Sequence, residues 1–115
     1  MIYNKEERPW GKFEVLFEEK NLKVKRITVK PDKRLSLQSH EHRSENWIII
    51  QGEALLELNN KKIFLFENQT VYIPKKAKHR IANYNNIDLI FIEIQRGNYL
   101  GEDDIIRYED DFNRV

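Results

Sequence analysis

The chain contains no cysteine, so neither disulfide bonds nor thiolate metal ligands are available to it. It has no apolar run close to the ~18 residues that a membrane-spanning helix needs. Its first twelve residues are polar and include no apolar core of the kind found in signal peptides. These absences make a cytoplasmic location the default expectation and give no indication of a membrane partner.

The chain also lacks a large excess of either positive or negative charge. The 20 basic and 19 acidic residues leave a net charge of +1, which argues against a nucleic-acid partner, since that would require a clear basic excess. The length of 115 residues fits one domain, which we expect to cover residues 1–115. With 34% charged and 40% hydrophobic residues, the composition suits a small, polar β fold.

Short segments of alternating character predict a nearly all-β chain. Turn residues recur about every eight to twelve positions, a spacing that predicts a sandwich or barrel. Only Gly101–Tyr108 is predicted to form a helical turn or two at the C-terminal end. The predicted strands are Lys12–Glu18, Leu22–Lys30, Arg34–Glu41, Trp47–Ile50, Ala54–Leu58, Lys62–Phe66, Thr70–Ile73, His79–Tyr84 and Leu89–Gln95.

All three histidines lie in two short segments. Gln38, His40 and His42 share the parity of a predicted strand, so their side chains are expected to point to one face. A lone histidine in a strand is more often a core or exposed residue than a ligand. Here, however, nitrogen donors two residues apart, followed by Glu45 and joined by His79 from a distant strand, are together enough to bind one transition metal.

The spacing of these residues follows two motifs. The first reads Asp32, five residues, Gln38, one, His40, four, Glu45, six, Gly52. The second reads Asn68, five residues, Pro74, one, Lys76, two, His79, three, Asn83. Both resemble the conserved motifs of the cupin family, in which glycines begin each motif and two histidines stand at the positions of Gln38 and His40. The resemblance implies an all-β fold, the cupin jelly-roll β-barrel.

The chain departs from the cupin motifs at four positions. Asp32, Asn68 and Lys76 replace glycines, and these changes concern turns, where Asn and Asp tolerate left-handed backbone best after Gly. Gln38 replaces the first histidine ligand, and its amide oxygen can bind a metal without adding charge.

The register also assigns the ligands. Pairing His40 with His42 would place Glu45 too early, so the ligands in this register are Gln38, His40, Glu45 and His79. His42 is then expected one pleat further along the same face, near the metal, where it either does acid–base or substrate-binding work or stands in water at the rim.

Longer strings make the resemblance more specific. They are Arg8–Gly11, Leu35–Trp47, Tyr72–Pro74 and Ile92–Arg107. All four resemble type II mannose-6-phosphate isomerase, although Asn46 stands where that family commonly has histidine. In the family this module is usually the C-terminal part of a bifunctional enzyme with a mannose-1-phosphate guanylyltransferase domain. Because the present sequence runs from Met1 straight into the cupin motifs, we expect a stand-alone form.

The resemblance implies metal-dependent isomerisation of mannose 6-phosphate and fructose 6-phosphate through a cis-enediol, with one divalent metal, zinc in the family. Two residues are candidates for the base that moves the proton. His42 is one, because histidine titrates near neutral pH, and Glu93 is the other, if the last strand turns it inward. The sequence does not decide between them.

The phosphate group of a sugar phosphate needs cations, and Arg is the better bidentate partner. The candidates in or beside the matched strings are Arg43, Arg80, Arg96 and Arg107, with Lys25 and Lys33 less specific. Each could equally be a solvated surface charge.

Two other functions remain open from the sequence. One is a non-catalytic module that binds a sugar phosphate or nucleotide sugar, and the other is a cupin oxygenase. The string Gly101–Arg107 favours the isomerase over the oxygenase, because only the isomerase relative would be expected to carry it. A homodimer is a further expectation, based on a predicted strand with apolar residues on both faces, namely Phe13, Val15, Leu16 and Phe17.

Overall fold

The computed structural model describes residues 4–114, and these residues form β-strands and turns with no helix among them. The strands are β1 (Asn4–Arg8), β2 (Gly11–Glu19), β3 (Leu22–Val29), β4 (Lys33–Arg34), β5 (Leu37–Ser39), β6 (Arg43–Gln51), β7 (Ala54–Leu58), β8 (Lys61–Leu65), β9 (Thr70–Ile73), β10 (His79–Asn83), β11 (Leu89–Gly97) and β12 (Ile106–Glu109). The all-β prediction is confirmed.

The strands form two antiparallel sheets. The first has the order β1-β2-β3-β11-β6-β9, and the second has the order β12-β5-β10-β7-β8, with β4 also paired to β10. β11 enters the first sheet between β3 and β6, far from both in sequence, which is the crossing connection of a jelly roll. β1 is an edge strand of the first sheet, and β12 is an edge strand of the second sheet.

An apolar core lies between the two sheets. Ile49 on β6 and Phe91 on β11 meet Leu56 on β7 and Ile81 on β10, and each is 0–1% exposed. Burial of one such side chain contributes about 1.5–3 kcal/mol to stability. The inner face of β6 is apolar at Ile49 and Trp47 and becomes polar toward the start of the strand, at the buried residues Glu45 and Arg43. The strands that build the core therefore also carry the polar site.

The predicted strands correspond to observed ones, with three local differences. Arg34–Glu41 is not one strand, because the chain forms β4 and β5 and then bends at residues 41 and 42. β6 begins at Arg43 rather than Trp47. Two edge strands were not predicted, namely β1, which pairs with the adjacent β2, and β12, which pairs with the distant β5.

The predicted helical turn at Gly101–Tyr108 is wrong. Residues 102 and 103 form a turn, and the chain then continues as β12, in which Ile106 pairs with Ser39 and Arg107 pairs with Gln38. Backbone pairing with the open edge of β5 satisfies groups that an isolated helical turn would leave to water, so tertiary context overrides the local preference.

The turn positions confirm the interpretation of the lost glycines. Asp32, Asn68 and Lys76 have positive φ angles of 61°, 72° and 68°. All three therefore adopt the left-handed backbone that glycine would supply in the cupin motifs.

The apolar residues behind the homodimer expectation separate into two groups. Phe13 and Val15 are buried in the core, whereas Leu16 is half-buried and Phe17 is 41% exposed. The homodimer stays a prediction. Within residues 4–114, no helix is long and apolar enough to cross a membrane.

Replacing Lys76 by glycine should stabilise the protein. Left-handed backbone at a non-glycine residue costs about 1–2 kcal/mol of folding free energy, and glycine removes that cost. The greater freedom of glycine in the unfolded chain destabilises the folded state by about 0.4–1 kcal/mol, which offsets part of the gain. We expect Lys76→Gly to raise the free energy of unfolding by about 0.5–1 kcal/mol in a urea titration. Asn68→Gly is the control and should change stability less, because Asn tolerates this backbone. A Lys76→Gly protein less stable than the parent would contradict the assignment of strain.

Candidate active site

Three potential metal ligands converge between the sheets. His40 follows β5, Glu45 lies on β6, and His79 begins β10, directly opposite Gln38 in the β5–β10 pairing. One ligand atom from each of His40, Glu45 and His79 lies within 4.8 Å of the other two. All three side chains are buried, at 4%, 1% and 3% exposure. We call these three residues the ligand triad.

Backbone carbonyls fix the tautomers of both histidines. The Nδ1 atom of His40 donates to the carbonyl of Asp104 at 2.7 Å, and Nδ1 of His79 donates to that of Ala77 at 3.0 Å. Since a carbonyl only accepts, each Nδ1 carries the proton and each Nε2 is unprotonated, with a lone pair that can accept. Metal-binding histidines are oriented in this way.

The electrostatic surroundings keep the triad in the state that metal binding needs. Burial lowers the pKa of His40 to about 4 and also lowers the pKa of His79, so both rings are neutral at neutral pH. Burial opposes ionisation of Glu45, but Arg43, His40, His79 and a hydrogen bond with Glu93 together outweigh it and hold the pKa of this carboxyl below its usual range. Two neutral imidazoles and one carboxylate are deprotonated donors ready to bind a cation.

Glu45 is held at both oxygens. Its Oε1 accepts a hydrogen bond from Nε1 of Trp47 at 2.9 Å, and its Oε2 accepts one from Nε of Arg43 at 2.8 Å. The Nη2 atom of Arg43 also donates to Nε2 of His40 at 3.3 Å. Trp47 packs edge-on against the ring of His79, with 5.8 Å between ring centroids. These contacts fix the triad from the β6 side.

The donor set fits a divalent transition metal. Nε2 of His40 and Oε2 of Glu45 are both acceptors, yet they face each other at 3.3 Å. Ligands about 2.0–2.2 Å from a tetrahedral ion lie roughly 3.3–3.6 Å from one another, so this separation suits such an ion. Gln38 lies in the same cavity as the triad. Its amide nitrogen donates to the Ser36 carbonyl at 3.4 Å, so its amide oxygen is available as a fourth ligand. Metal binding at Nε2 of His40 would require Arg43 to give up the hydrogen bond that its Nη2 donates to this atom.

A second buried carboxylate lies beside the triad. Glu93 on β11 pairs with Trp47 on β6 and with Lys25 on β3, and Gln95 donates to its Oε2 at 2.7 Å. Burial and the negative charge of Glu45 raise the pKa of Glu93, so this carboxyl holds a proton more readily than an exposed one. The two neighbouring carboxyls therefore have opposite tendencies, one to stay charged and the other to accept a proton.

These groups line one cavity of about 100 Å³. Its inner end is formed by the ligand triad and Glu93, which are buried, and its outer end is formed by partly exposed charged side chains. The charged and polar lining residues are Arg8, Lys25, Ser36, Gln38, His40, Arg43, Glu45, His79, Glu93, Glu102, Arg107 and Arg114. Most of the residues predicted from the sequence are thus brought together.

Of the two positions that the sequence left open for His42, beside the metal or in water, the structure shows the exposed one. The chain leaves the strand at Glu41 and His42, which breaks the alternation that would have placed His42 beside His40. The imidazole is exposed and lies edge-on to the ring of Tyr99, with 6.0 Å between centroids. Since His42 does not line the cavity, the structure offers no basis for its role as the base.

Two of the four predicted arginines also lie elsewhere. Arg80 follows His79 on β10 and so points to the opposite face, where its Nε donates to the Leu35 carbonyl and its Nη2 to the Glu109 carbonyl. Arg96 is exposed on the outer face of β11, where it pairs with Ser44. Arg43 and Arg107 do line the cavity.

Asp104 is a functional residue that the sequence did not reveal. Its carbonyl accepts the hydrogen bond from His40, and its two carboxylate oxygens accept the backbone N–H groups of Glu41 and His42, each at 3.0 Å. The C-terminal segment thereby holds the bend that presents His40. The matched string Ile92–Arg107 included Asp104, but only the pairing of β12 with β5 explains its position.

Comparison with known proteins gives both a family match and close relatives. The family described as mannose-6-phosphate isomerase C-terminal matches residues 1–110. The alginate biosynthesis protein AlgA of Pseudomonas aeruginosa is 50% identical over 108 residues, which cover 94% of this chain and 22% of AlgA. The mannose-1-phosphate guanylyltransferase ManC of Salmonella typhimurium is 44% identical over 108 residues, with 94% and 22% covered. The chain therefore spans less than a quarter of the length of these relatives.

A solved structure supports the fold. The cupin domain of Cnp3 from Schizosaccharomyces pombe superimposes with a TM-score of 0.72 at 15% identity, covering 75% of this chain and 64% of that one. At this level of identity the likeness concerns the fold alone. It confirms the cupin barrel that the two motifs predict.

The ligand assignment makes a direct prediction about metal content. His40→Ala and His79→Ala should each lose stoichiometric metal on dialysis, because a centre with one ligand removed holds its ion weakly. His42→Ala should keep the metal, since this side chain lies outside the cavity. Elemental analysis after dialysis measures the result. Loss of metal from the His42 variant, together with retention in Gln38→Ala, would show that the ligand pair is instead His40 and His42.

Asp104→Ala should weaken metal binding by about 10- to 100-fold, the usual effect of removing a group that orients a ligand. The Asp104 carbonyl remains in this variant, but the bend loses both carboxylate contacts and His40 becomes less firmly placed. A competition titration with a chromogenic chelator measures the affinity. Asp103→Ala is the matched control, because Asp103 is exposed and bonds Tyr99 instead. Equal affinities in the two variants would contradict this role for Asp104.

Proposed function

Because the chain belongs to the mannose-6-phosphate isomerase C-terminal family, we propose that it is a metal-dependent isomerase that interconverts mannose 6-phosphate and fructose 6-phosphate. The observation that carries the proposal is the inner end of the cavity, where metal-binding donors and a separate buried carboxylate, Glu93, lie side by side. An aldose–ketose isomerase needs both, one to stabilise charge on the sugar oxygens and one to move a proton.

The reaction moves a proton between C1 and C2 through a cis-enediol. Negative charge develops on the neighbouring oxygens as that proton leaves. Gln38, His40, Glu45 and His79 would hold a divalent metal, which we propose to be zinc, and its positive charge would stabilise those oxygens. Lys25 and Arg43 line the same cavity and add hydrogen-bond donors for the sugar hydroxyls.

We assign the proton transfer to Glu93 on the basis of its position. Its carboxyl lies within the cavity beside Glu45, and the hydrogen bond from Gln95 to Oε2 fixes its orientation. A cis-enediol presents C1 and C2 on one face, so a single carboxylate can remove the proton from one carbon and return it to the other. Burial of Glu93 limits the access of water to that proton, which favours its transfer within the site.

The activity itself is tested with metal-loaded protein and mannose 6-phosphate, coupled to detection of fructose 6-phosphate. Activity should disappear with chelator and return with a divalent metal. Deuterium from heavy water should enter C1 or C2, because a base exchanges part of the carried proton with solvent. No activity with any divalent metal, alongside measurable sugar-phosphate binding, would contradict the proposal and favour a non-catalytic binding module.

Glu93→Gln should lower kcat by about 10²–10⁴-fold, the usual contribution of a general base, because the amide keeps the shape of the side chain and cannot accept the proton. Metal content should stay at the parental level, which separates loss of the base from loss of the ion. His42→Asn is the matched control and should lose less than tenfold. A large loss in the His42 variant with little loss in the Glu93 variant would move the base to His42.

A further inference from the structure

The outer end of the cavity is lined by three arginines. Arg8 ends β1, Arg107 lies on β12, and Arg114 follows β12 near the end of the described chain. β1 and β12 are edge strands of opposite sheets, so the opening lies where two sheet edges approach each other. We call Arg8, Arg107 and Arg114 the arginine cluster.

Arg107 is the member of the cluster whose charge is least compensated. Arg8 bonds Glu6 at 3.2 Å, and Arg114 bonds both carboxylate oxygens of Asp110 at 2.6 and 3.1 Å. The Nε of Arg107 is buried and has no hydrogen-bond partner among residues 4–114. A buried donor without a partner is costly, so its position is explained best by an acceptor that the protein itself does not provide.

The whole cavity has a surplus of cationic groups. Arg8, Lys25, Arg43, Arg107 and Arg114 line it against three carboxylates, Glu45, Glu93 and Glu102. Four of these five cations have carboxylate partners: Arg43 bonds Glu45, Lys25 bonds Glu102 at 2.7 Å, Arg8 bonds Glu6, and Arg114 bonds Asp110. The surplus therefore falls on Arg107, at the outer end, whose Nε has no partner among the described residues.

The strand register gives the distance from this cluster to the ligand triad. Arg107 on β12 pairs with Gln38 on β5, and Gln38 pairs with His79 on β10. Directly opposed residues point to one face, so these three side chains form a row across the inner face of the second sheet. Two strand spacings separate Arg107 from His79, about 10 Å. A small, extended, bifunctional molecule can span that distance.

We propose that Arg107, flanked by Arg8 and Arg114, binds the phosphate of an open-chain sugar phosphomonoester whose C1 and C2 lie at the ligand triad. This inference rests on the proposed isomerase function for the orientation of the sugar. An acyclic hexose 6-phosphate carries its reacting carbons at one end and a dianion at the other. The cavity has the matching arrangement, with metal ligands and Glu93 at the inner end and guanidinium groups at the outer end. Arg107 thus distinguishes phosphorylated from free sugars.

Inorganic phosphate is the probe, because its binding needs no turnover. Titration calorimetry should show saturable binding to the full-length metal-loaded protein, weakened at least tenfold by Arg107→Gln, which removes the charge and the fork of donors. Arg107→Lys should fall between the two, since it keeps the charge alone. Arg96→Gln makes the same change of charge outside the cavity and should bind like the parent.

A second readout uses the substrate. Arg107→Gln should raise KM for mannose 6-phosphate at least tenfold and change kcat much less, because the phosphate lies away from the reacting carbons. Thermal unfolding of each variant checks its folding, and Arg8→Gln, with severalfold weaker phosphate binding, serves if the Arg107 variants do not fold. Phosphate affinity unchanged in the Arg107 and Arg8 variants would overturn the proposal. If phosphate binding depends on Arg107 but the protein has no isomerase activity, the proposed isomerase function is contradicted and the phosphate site is still supported.

Discussion

The charge of Glu45 is the constraint around which the site is built. A carboxylate that stays ionised inside a barrel must be surrounded by donors and cations, because burial alone would protonate it. Arg43, two residues before Glu45 on β6, and Trp47, two residues after it, provide those donors from the same inner face. With its charge fixed, Glu45 in turn favours protonation of Glu93 and gives the paired imidazoles a negative neighbour. Burial and this one charge together raise the pKa of Glu93, whereas burial outweighs the same charge at His40 and His79.

The jelly roll suits this site because its strands run through two environments. Along the inner face of β11, Phe91 belongs to the apolar core, while Glu93 and Gln95 belong to the polar cavity. The core gives the sheets a fixed separation, which keeps the ligands of different strands at distances suited to one ion. The cavity opens at the sheet edges, where charged side chains can meet solvent and where a polar ligand can enter.

The sequence predicted the ligand triad well because motif spacing and strand parity act over a few residues. Strand alternation did not predict the side-chain direction of His42, because the chain bends there to pass from β5 to β6. Motif spacing likewise did not show that the side chain of Arg80 points away from that of His79. The roles of Arg8, Asp104 and Arg114 come from contacts between distant parts of the chain, which no local pattern contains. The same reason explains why the edge strand β12 was expected to be a helical turn.

The hydrogen bond between His40 and Asp104 joins residues 64 positions apart. The pairings among β6 to β11 do not involve β12, so the strands that build the core do not depend on the segment with Asp104 for their register. His40 acquires its final orientation only when β12 docks on β5. Detachment of this one edge strand would leave most strand pairings intact and still disturb the metal centre. Retention of an ion would thereby depend on the docking of an edge strand that the core itself does not require.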